Sequence, residues 1–185
     1  MSRISTGNGD SGKTRLWSGE EVSKDDLRVE AYGTMDELQA VMGEALHKVK
    51  SPTTAALLRD LRSMTDKAAG ELASTDAPAL MTQEEIRVVE EAIGAYEKEV
   101  PLRGFVLTGA TPGGSALDVC RTVARRAERR VVRLGGREEI SPLLYVFLNR
   151  LSDLLFLLSC FEDLQEGRLT FRDEKKERNS KDADT

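Results

Sequence analysis

The sequence predicts an all-α protein, an antiparallel bundle of five helices, and three observations carry that expectation. Apolar residues recur every three to four positions in five separate segments. Proline, glycine and capping residues punctuate the ends of those segments. Aromatic residues make up only 5% of the 185 residues and prolines number five, which disfavours an all-β chain. A hydrophobic share of 39% beside 32% charged residues suits a single-core domain with exposed polar faces, and the length suits one domain with or without tails.

Each helix has its own justification. Lys24-Asp25-Asp26 leads into a first helix expected over about 27–49, where Met35, Leu38, Met42, Ala45, Leu46 and Val49 share one face. Ser51-Pro52 breaks it. A second pattern, about 53–74, carries Leu57, Leu58, Leu61, Met64, Ala68 and Leu72, and closes before Asp76 and Pro78. Thr82-Gln83-Glu84-Glu85 reads as a capping box opening a third helix through Ile86, Val89, Ile93, Tyr96 and Val100. Residues 101–114 interrupt the rhythm, with Pro101, Gly104, Gly109, Pro112, Gly113 and Gly114 around the short apolar run Phe105-Val106-Leu107. A fourth helix is expected from Ser115, as N-cap, to Leu134, where Gly135-Gly136 stops it. Ser141 as N-cap and Pro142 at the first helical position open a fifth, to about Gln165. The division that follows is a loop segment over 1–26, a bundle over 27–170 and a disordered charged tail over 171–185, since Ala183 is the only apolar residue beyond Arg172.

Bulk properties exclude several function classes. The net charge of −5 makes nucleic acid a poor bulk partner, so any anion site must be a local basic patch. No unbroken apolar run reaches the roughly 18–20 residues of a membrane span. The start lacks the apolar stretch of a signal peptide. Cys120 and Cys160 have no metal-type spacing and fall in apolar helical stretches, as reduced core residues of a cytoplasmic protein would.

Three features carry chemistry. Gly7-Asn8-Gly9-Asp10-Ser11-Gly12-Lys13-Thr14 satisfies the phosphate-loop pattern, but no buried strand precedes it and no amphipathic helix follows, so it is expected to bind phosphate on a different scaffold or to be a flexible terminus. On the fourth helix Arg121, Arg125, Glu128 and Arg129 fall in one stripe opposite Leu117, Cys120, Ala124, Ala127 and Val131. A basic stripe is also what a solvated face looks like, with Glu128 pairing locally to its arginines. On the fifth helix Asn149, Arg150, Ser152 and Asp153 sit inside a strongly apolar run, where buried polar groups need partners, whether from neighbouring helices or from a ligand. The three together suggest a triphosphate site.

The chain resembles the PduO-type ATP:cob(I)alamin (corrinoid) adenosyltransferases over about residues 3–165. The matching blocks are Thr6 to Gly12 with Thr14; Lys24-Asp25-Asp26; Glu30 to Leu38; Phe105-Val106-Leu107; Ser115-Ala116-Leu117; Arg121 to Arg129; and Leu148 to Phe156. The resemblance implies a homotrimer of five-helix bundles that transfers the 5′-deoxyadenosyl group of ATP to cob(I)alamin at subunit interfaces, forming adenosylcobalamin and releasing triphosphate, with Mg²⁺ on the phosphates. It implies ATP contacts from Thr6, Gly7, Asn8, Gly9, Thr14, Arg15, Lys24, Arg125, Glu128, Arg129 and Asn149. Asp36 and Arg121 match an inter-subunit ion pair beside the corrinoid, Phe105 the aromatic residue under the corrin, and Asp153 belongs with the corrinoid side. Arg125, Asp36, Arg121 and Phe105 are thereby the expected catalytic set. Departures are Thr108-Gly109-Ala110-Thr111, where Pro-Gly-Gly is more usual, and Asp118, where a His is common. No catalytic nucleophile is expected of the protein, since Co(I) supplies it, and no resident metal site is identified. A cobalamin reductase and an adenosylcobalamin-dependent acceptor enzyme are the implied partners. The alternative is a protein of the same fold that senses ATP or stores and delivers adenosylcobalamin with little turnover.

Overall fold

The computed structural model describes Gly7 and residues 9–172. Five helices follow in the expected order: α1 Leu27–Ala45, α2 Pro52–Leu72, α3 Gln83–Glu99, α4 Pro112–Gly135 and α5 Pro142–Gln165. The core lies where α1, α4 and α5 meet. Met35, Leu38 and Met42 of α1, Leu117, Cys120 and Ala124 of α4, and Phe147, Leu151 and Leu155 of α5 are fully buried there. Leucine-sized side chains each contribute roughly 1.5–3 kcal/mol by leaving water. α2 packs on α1, and α3 packs on α5 through Ile86 and Val89. By length and composition α5 would cross a membrane, yet it serves as the central core helix. Burial pushes the Cys120 and Cys160 thiols up to about 12, as expected of unreactive core cysteines.

The helix ends show which boundaries were local and which were tertiary. The capping box of α3 is closed in both directions, with Thr82 N–H donating to Glu85 at 2.9 Å. Ser51 caps α2 through Thr54 N–H at 3.2 Å. Ser141 stands at the N-cap of α5, but its hydroxyl makes no capping bond. α1 stops at Ala45 rather than about residue 49, because the N–H groups of Lys50 and Ser51 are drawn to the Glu162 carboxylate of α5 at 2.8 and 3.2 Å. α4 starts at Pro112, not Ser115, and its N-cap is Thr111, whose hydroxyl accepts from Gly114 N–H at 2.9 Å. The reason is Asp163, fully buried on α5, which accepts the N–H groups of Gly109 and Ala110 at 3.1 Å and of Thr111 at 2.9 Å, plus the Thr111 hydroxyl at 2.8 Å. Gly113 and Gly114 lie directly against Glu162 and Asp163, and a Cβ on Gly114 would overlap the Asp163 carboxylate.

Four short strands complete the chain. β1 Lys13–Arg15 and β2 Glu21–Ser23 form an antiparallel hairpin with Arg15 opposite Glu21. β3 Val106–Leu107 pairs antiparallel with β4 Thr170–Phe171, placing Val106 opposite Phe171. Phe171 is buried among Val100, Cys160 and Phe161, so the packed chain continues past the expected tail boundary at 171. Residues 173–185, the rest of that expected tail, lie outside the described residues.

Candidate functional site

The expected site residues fall into two groups. The first is the N-terminal loop. Gly7 and Gly12 take left-handed φ values of +73° and +79°, which glycine adopts without a Cβ clash, and close two tight turns. The Lys24 ammonium crosses the loop at Gly9, where a Cβ would stand 2.9 Å from Nζ, and Lys24 N–H donates to the Gly12 carbonyl at 2.9 Å. Thr14 and Arg15 follow on β1. The loop opens a hairpin, not a helix, and Lys13, which completes the phosphate-loop string, pairs with Glu21 at 2.7 Å. Thr6 and Asn8 lie outside the described residues. The hairpin leans on the end of α2: Trp17 N–H donates to the Ala73 carbonyl at 2.9 Å, and the Thr75 hydroxyl donates to Glu20 at 2.7 Å. The hydroxyls of Ser18 and Thr75 hold the Glu20 carboxyl below the usual range.

The second group lines a groove of about 470 Å³ between α3, α4 and α5. Arg121 and Arg125 from α4, Asp153 and Phe156 from α5, and Glu90 and Ile93 from α3 face into it. The arginines of α4 are not equivalent. Arg121 is held by Asp118 at 2.7 Å, Arg126 pairs with Glu37, and Arg130 pairs with Glu30 at 3.1 Å. Arg125 and Arg129 make no ion pair among the described residues. Glu128 does not pair with its own stripe either: it accepts from the Asn149 amide of α5 at 3.4 Å. Arg150 reaches Glu90 of α3 at 3.1 Å, the Asn149 side-chain carbonyl at 3.2 Å and Asp153 at 4.0 Å. Glu90 of α3 and residues of its own helix therefore partner Arg150, while Asp153 remains half exposed toward the groove.

Phe105 is 65% exposed beside β3, with the Arg172 guanidinium 4.2 Å above its ring and its carbonyl accepting Arg172 N–H at 3.0 Å. Asp36 is exposed on α1 and makes no ion pair among the described residues. Within one protomer no side-chain hydrogen bond or ion pair joins the 9–24 hairpin to α4 or α5 among the described residues. Sequence reasoning noted Asp118 only as a departure from the family pattern, and it missed Glu162, Asp163 and Arg28. The sequence signal for Glu162 and Asp163 is their place directly behind the apolar run of α5; that they face the Gly113-Gly114 pair comes from the tertiary packing.

Comparison with known proteins places this geometry. The cobalamin adenosyltransferase family model matches residues 4–162. The corrinoid adenosyltransferase PduO of Citrobacter freundii is 41% identical over 166 residues, 86% of this chain and 50% of that protein. The corrinoid adenosyltransferase of Bacillus subtilis is 38% identical over 173 residues, covering 89% of each. The chain thus spans about half the length of the PduO relatives and most of the Bacillus one. A variant of the PduO-type ATP:corrinoid adenosyltransferase from Lactobacillus reuteri, solved with cobalamin and ATP, superposes with a TM-score of 0.84 at 31% identity, over 92% of this chain and 99% of that one. With a family match over most of its length, relatives more than 30% identical and a shared helical fold, the chain belongs to the cobalamin adenosyltransferase family.

Proposed function

We propose that this protein transfers the 5′-deoxyadenosyl group of ATP to cob(I)alamin, at a site completed between subunits of a homotrimer. The observation that carries it is the division of the anion-binding residues. Arg125 and Arg129 on α4 make no ion pair among the described residues, and among those residues no side-chain hydrogen bond or ion pair joins the glycine loop with Lys24 to α4 or α5 of the same protomer. A triphosphate bound between two copies would take the loop from one and the arginines from the other.

The reaction asks little covalent chemistry of the chain. Co(I) of the corrinoid attacks C5′, the C5′–O bond breaks, and triphosphate leaves with the bonding electrons, so cobalt ends formally as Co(III). The chain has to align C5′ with cobalt and neutralise charge growing on the leaving group. Arg125, Arg129, Lys24 and the loop N–H groups around Gly9 serve the second task. Glu128 and Asn149, already hydrogen-bonded to each other, orient the nucleoside end. Thr14 and Arg15 extend the loop's contacts. The α3–α5 groove with Phe156, Asp153 and Arg121 takes the corrinoid side, together with Phe105. Mg²⁺ would neutralise phosphate charge; no cluster of three His, Cys, Asp or Glu exists among the described residues, so its ligands would be phosphate oxygens and water.

The test is kinetic. Arg125→Ala and Lys24→Ala each remove a charge-assisted phosphate contact of roughly 1.5–3 kcal/mol. Each should raise KM for ATP and lower turnover with reduced cobalamin. Wild-type kinetics in both variants would remove the ATP assignment. ATP binding without turnover in the wild type would favour a storage or sensing role.

A further inference from the structure

We infer that Arg28 is a positioning residue for the nucleotide loop, an inference that rests on the proposed ATP role of the 7–24 segment. Arg28 occupies the first turn of α1, where a cation opposes the helix dipole. It is nevertheless 5% exposed, so its position must be compensated elsewhere. The compensation is at the other end of α2, whose last turn carries no basic residue of its own. One terminal nitrogen of Arg28 donates to the Leu72 carbonyl at 2.9 Å and the Ser74 carbonyl at 2.7 Å. The opposite edge of the guanidinium meets Glu138, from the α4–α5 connection, with Nε at 3.1 Å and the other terminal nitrogen closer still. A planar fork serves two carbonyls on one edge and a carboxylate on another, a spread that a lysine ammonium, with three donors radiating from one point, does not match.

The 72–75 segment gripped by Arg28 is also the dock of the hairpin. Trp17 N–H reaches the Ala73 carbonyl at 2.9 Å, Thr75 N–H reaches the Ser18 hydroxyl at 3.3 Å, and the Thr75 hydroxyl reaches Glu20 at 2.7 Å. On the chain side, Arg28 N–H caps onto Asp26 at 2.8 Å, two residues after Lys24. The guanidinium therefore fixes the surface the hairpin leans on, while the backbone N–H of the same residue anchors the point where the segment enters α1. Lys24 and Gly9 are held between those two anchors. Displacing the anchors by an ångström moves the ammonium relative to the loop without touching α4, α5 or the groove.

The experiment compares Arg28→Met and Arg28→Lys with Glu138→Gln and with Leu58→Ala, a core substitution near the start of α2, at the far end of that helix from the hairpin. Arg28→Met should raise KM for ATP on the order of tenfold to a hundredfold while KM for cob(I)alamin stays within about twofold, and Arg28→Lys should fall between it and wild type. The single tryptophan, Trp17, is 90% exposed on the hairpin and reports its motion. Its fluorescence anisotropy should decay faster in Arg28→Met but not in Leu58→Ala. If Arg28→Met does not fold, Arg28→Lys and Glu138→Gln carry the test. Unchanged KM for ATP in every soluble Arg28 and Glu138 variant overturns the inference, as does a rise in both KM values matching Leu58→Ala. Lys24→Ala run alongside separates the two levels: if it also leaves KM for ATP unchanged, the nucleotide role of the loop fails, and with it the basis for Arg28.

Discussion

Phe105 exposes 65% of its surface, although the next residue, Val106, and Phe171 opposite it are buried. A core phenylalanine truncated to alanine costs about 3–5 kcal/mol, but one this exposed has little burial to lose. What it does have is a fixed position: the carbonyl is tied to Arg172 N–H at 3.0 Å and the ring lies under the Arg172 guanidinium at 4.2 Å. Phe105→Ala is therefore expected to keep its melting temperature and its ATP affinity. The proposed role beneath the corrin, keeping a lower axial ligand off cobalt, is expected to fail. Optical spectra of bound cob(II)alamin with ATP should show the four-coordinate signal weakened and the five-coordinate form persisting, with slower adenosylation. A variant with normal spectra and turnover would remove Phe105 from the site, whatever its stability.

Among the helices, α3 and α4 show what local sequence decides and what it does not. The α3 start was legible because a capping box needs only four consecutive residues, and Thr82 to Glu85 supply them. Glu85 does more than cap: its carboxyl is pulled down to about 2 by Lys67 of α2 and by Thr82. Its folded value lies below the ordinary 4.5, so its contribution is complete above 4.5 and disappears as pH falls from there toward 2. Melting temperatures over that window should drop more steeply for the wild type than for Glu85→Gln. Equal slopes would deny the pairing. The α4 start was not legible, because Gly113 and Gly114 have poor helix propensity and Ser115 is a good cap in isolation. Asp163, fifty residues later, reverses that preference by collecting the N–H groups of 109–111. The hairpin was equally hidden: β1 and β2 have three residues each, too short for alternation to register. Gly114→Ala tests the tertiary account. It should lower stability by more than the roughly 1 kcal/mol that alanine gains over glycine in a helix interior, because its methyl displaces the Asp163 carboxylate. A stabilised variant would mean that propensity, not the α5 carboxylate, sets the α4 start.

For the whole molecule, the proposed homotrimer would spread the proposed site residues over more than one copy. The stripe of α4 was readable from spacing, and the structure sorts it: Arg126 and Arg130 tie α4 to α1, while Arg125 and Arg129 make no ion pair among the described residues. Val119 and Val132 of α4 and Val146 of α5 are exposed apolar residues on the same two helices, as a subunit interface would use. Asp36 lies exposed on α1, and Arg121 is already half satisfied by Asp118 at 2.7 Å, so an inter-subunit Asp36–Arg121 pair would be a triad with Asp118. Truncating Asp36 or Arg121 should weaken corrinoid binding, by up to roughly 3–5 kcal/mol if the interface buries the pair fully. The charge-swapped double, Asp36→Arg with Arg121→Asp, would place a new carboxylate beside Asp118 and recover little. Adding Asp118→Asn removes that repulsion, and the triple variant should regain corrinoid affinity that the double lacks. Mass measurement in solution should give three times the chain mass for the wild type. A fully active monomer, or a triple variant no better than the double, would place the corrinoid site away from the Asp36–Arg121 contact.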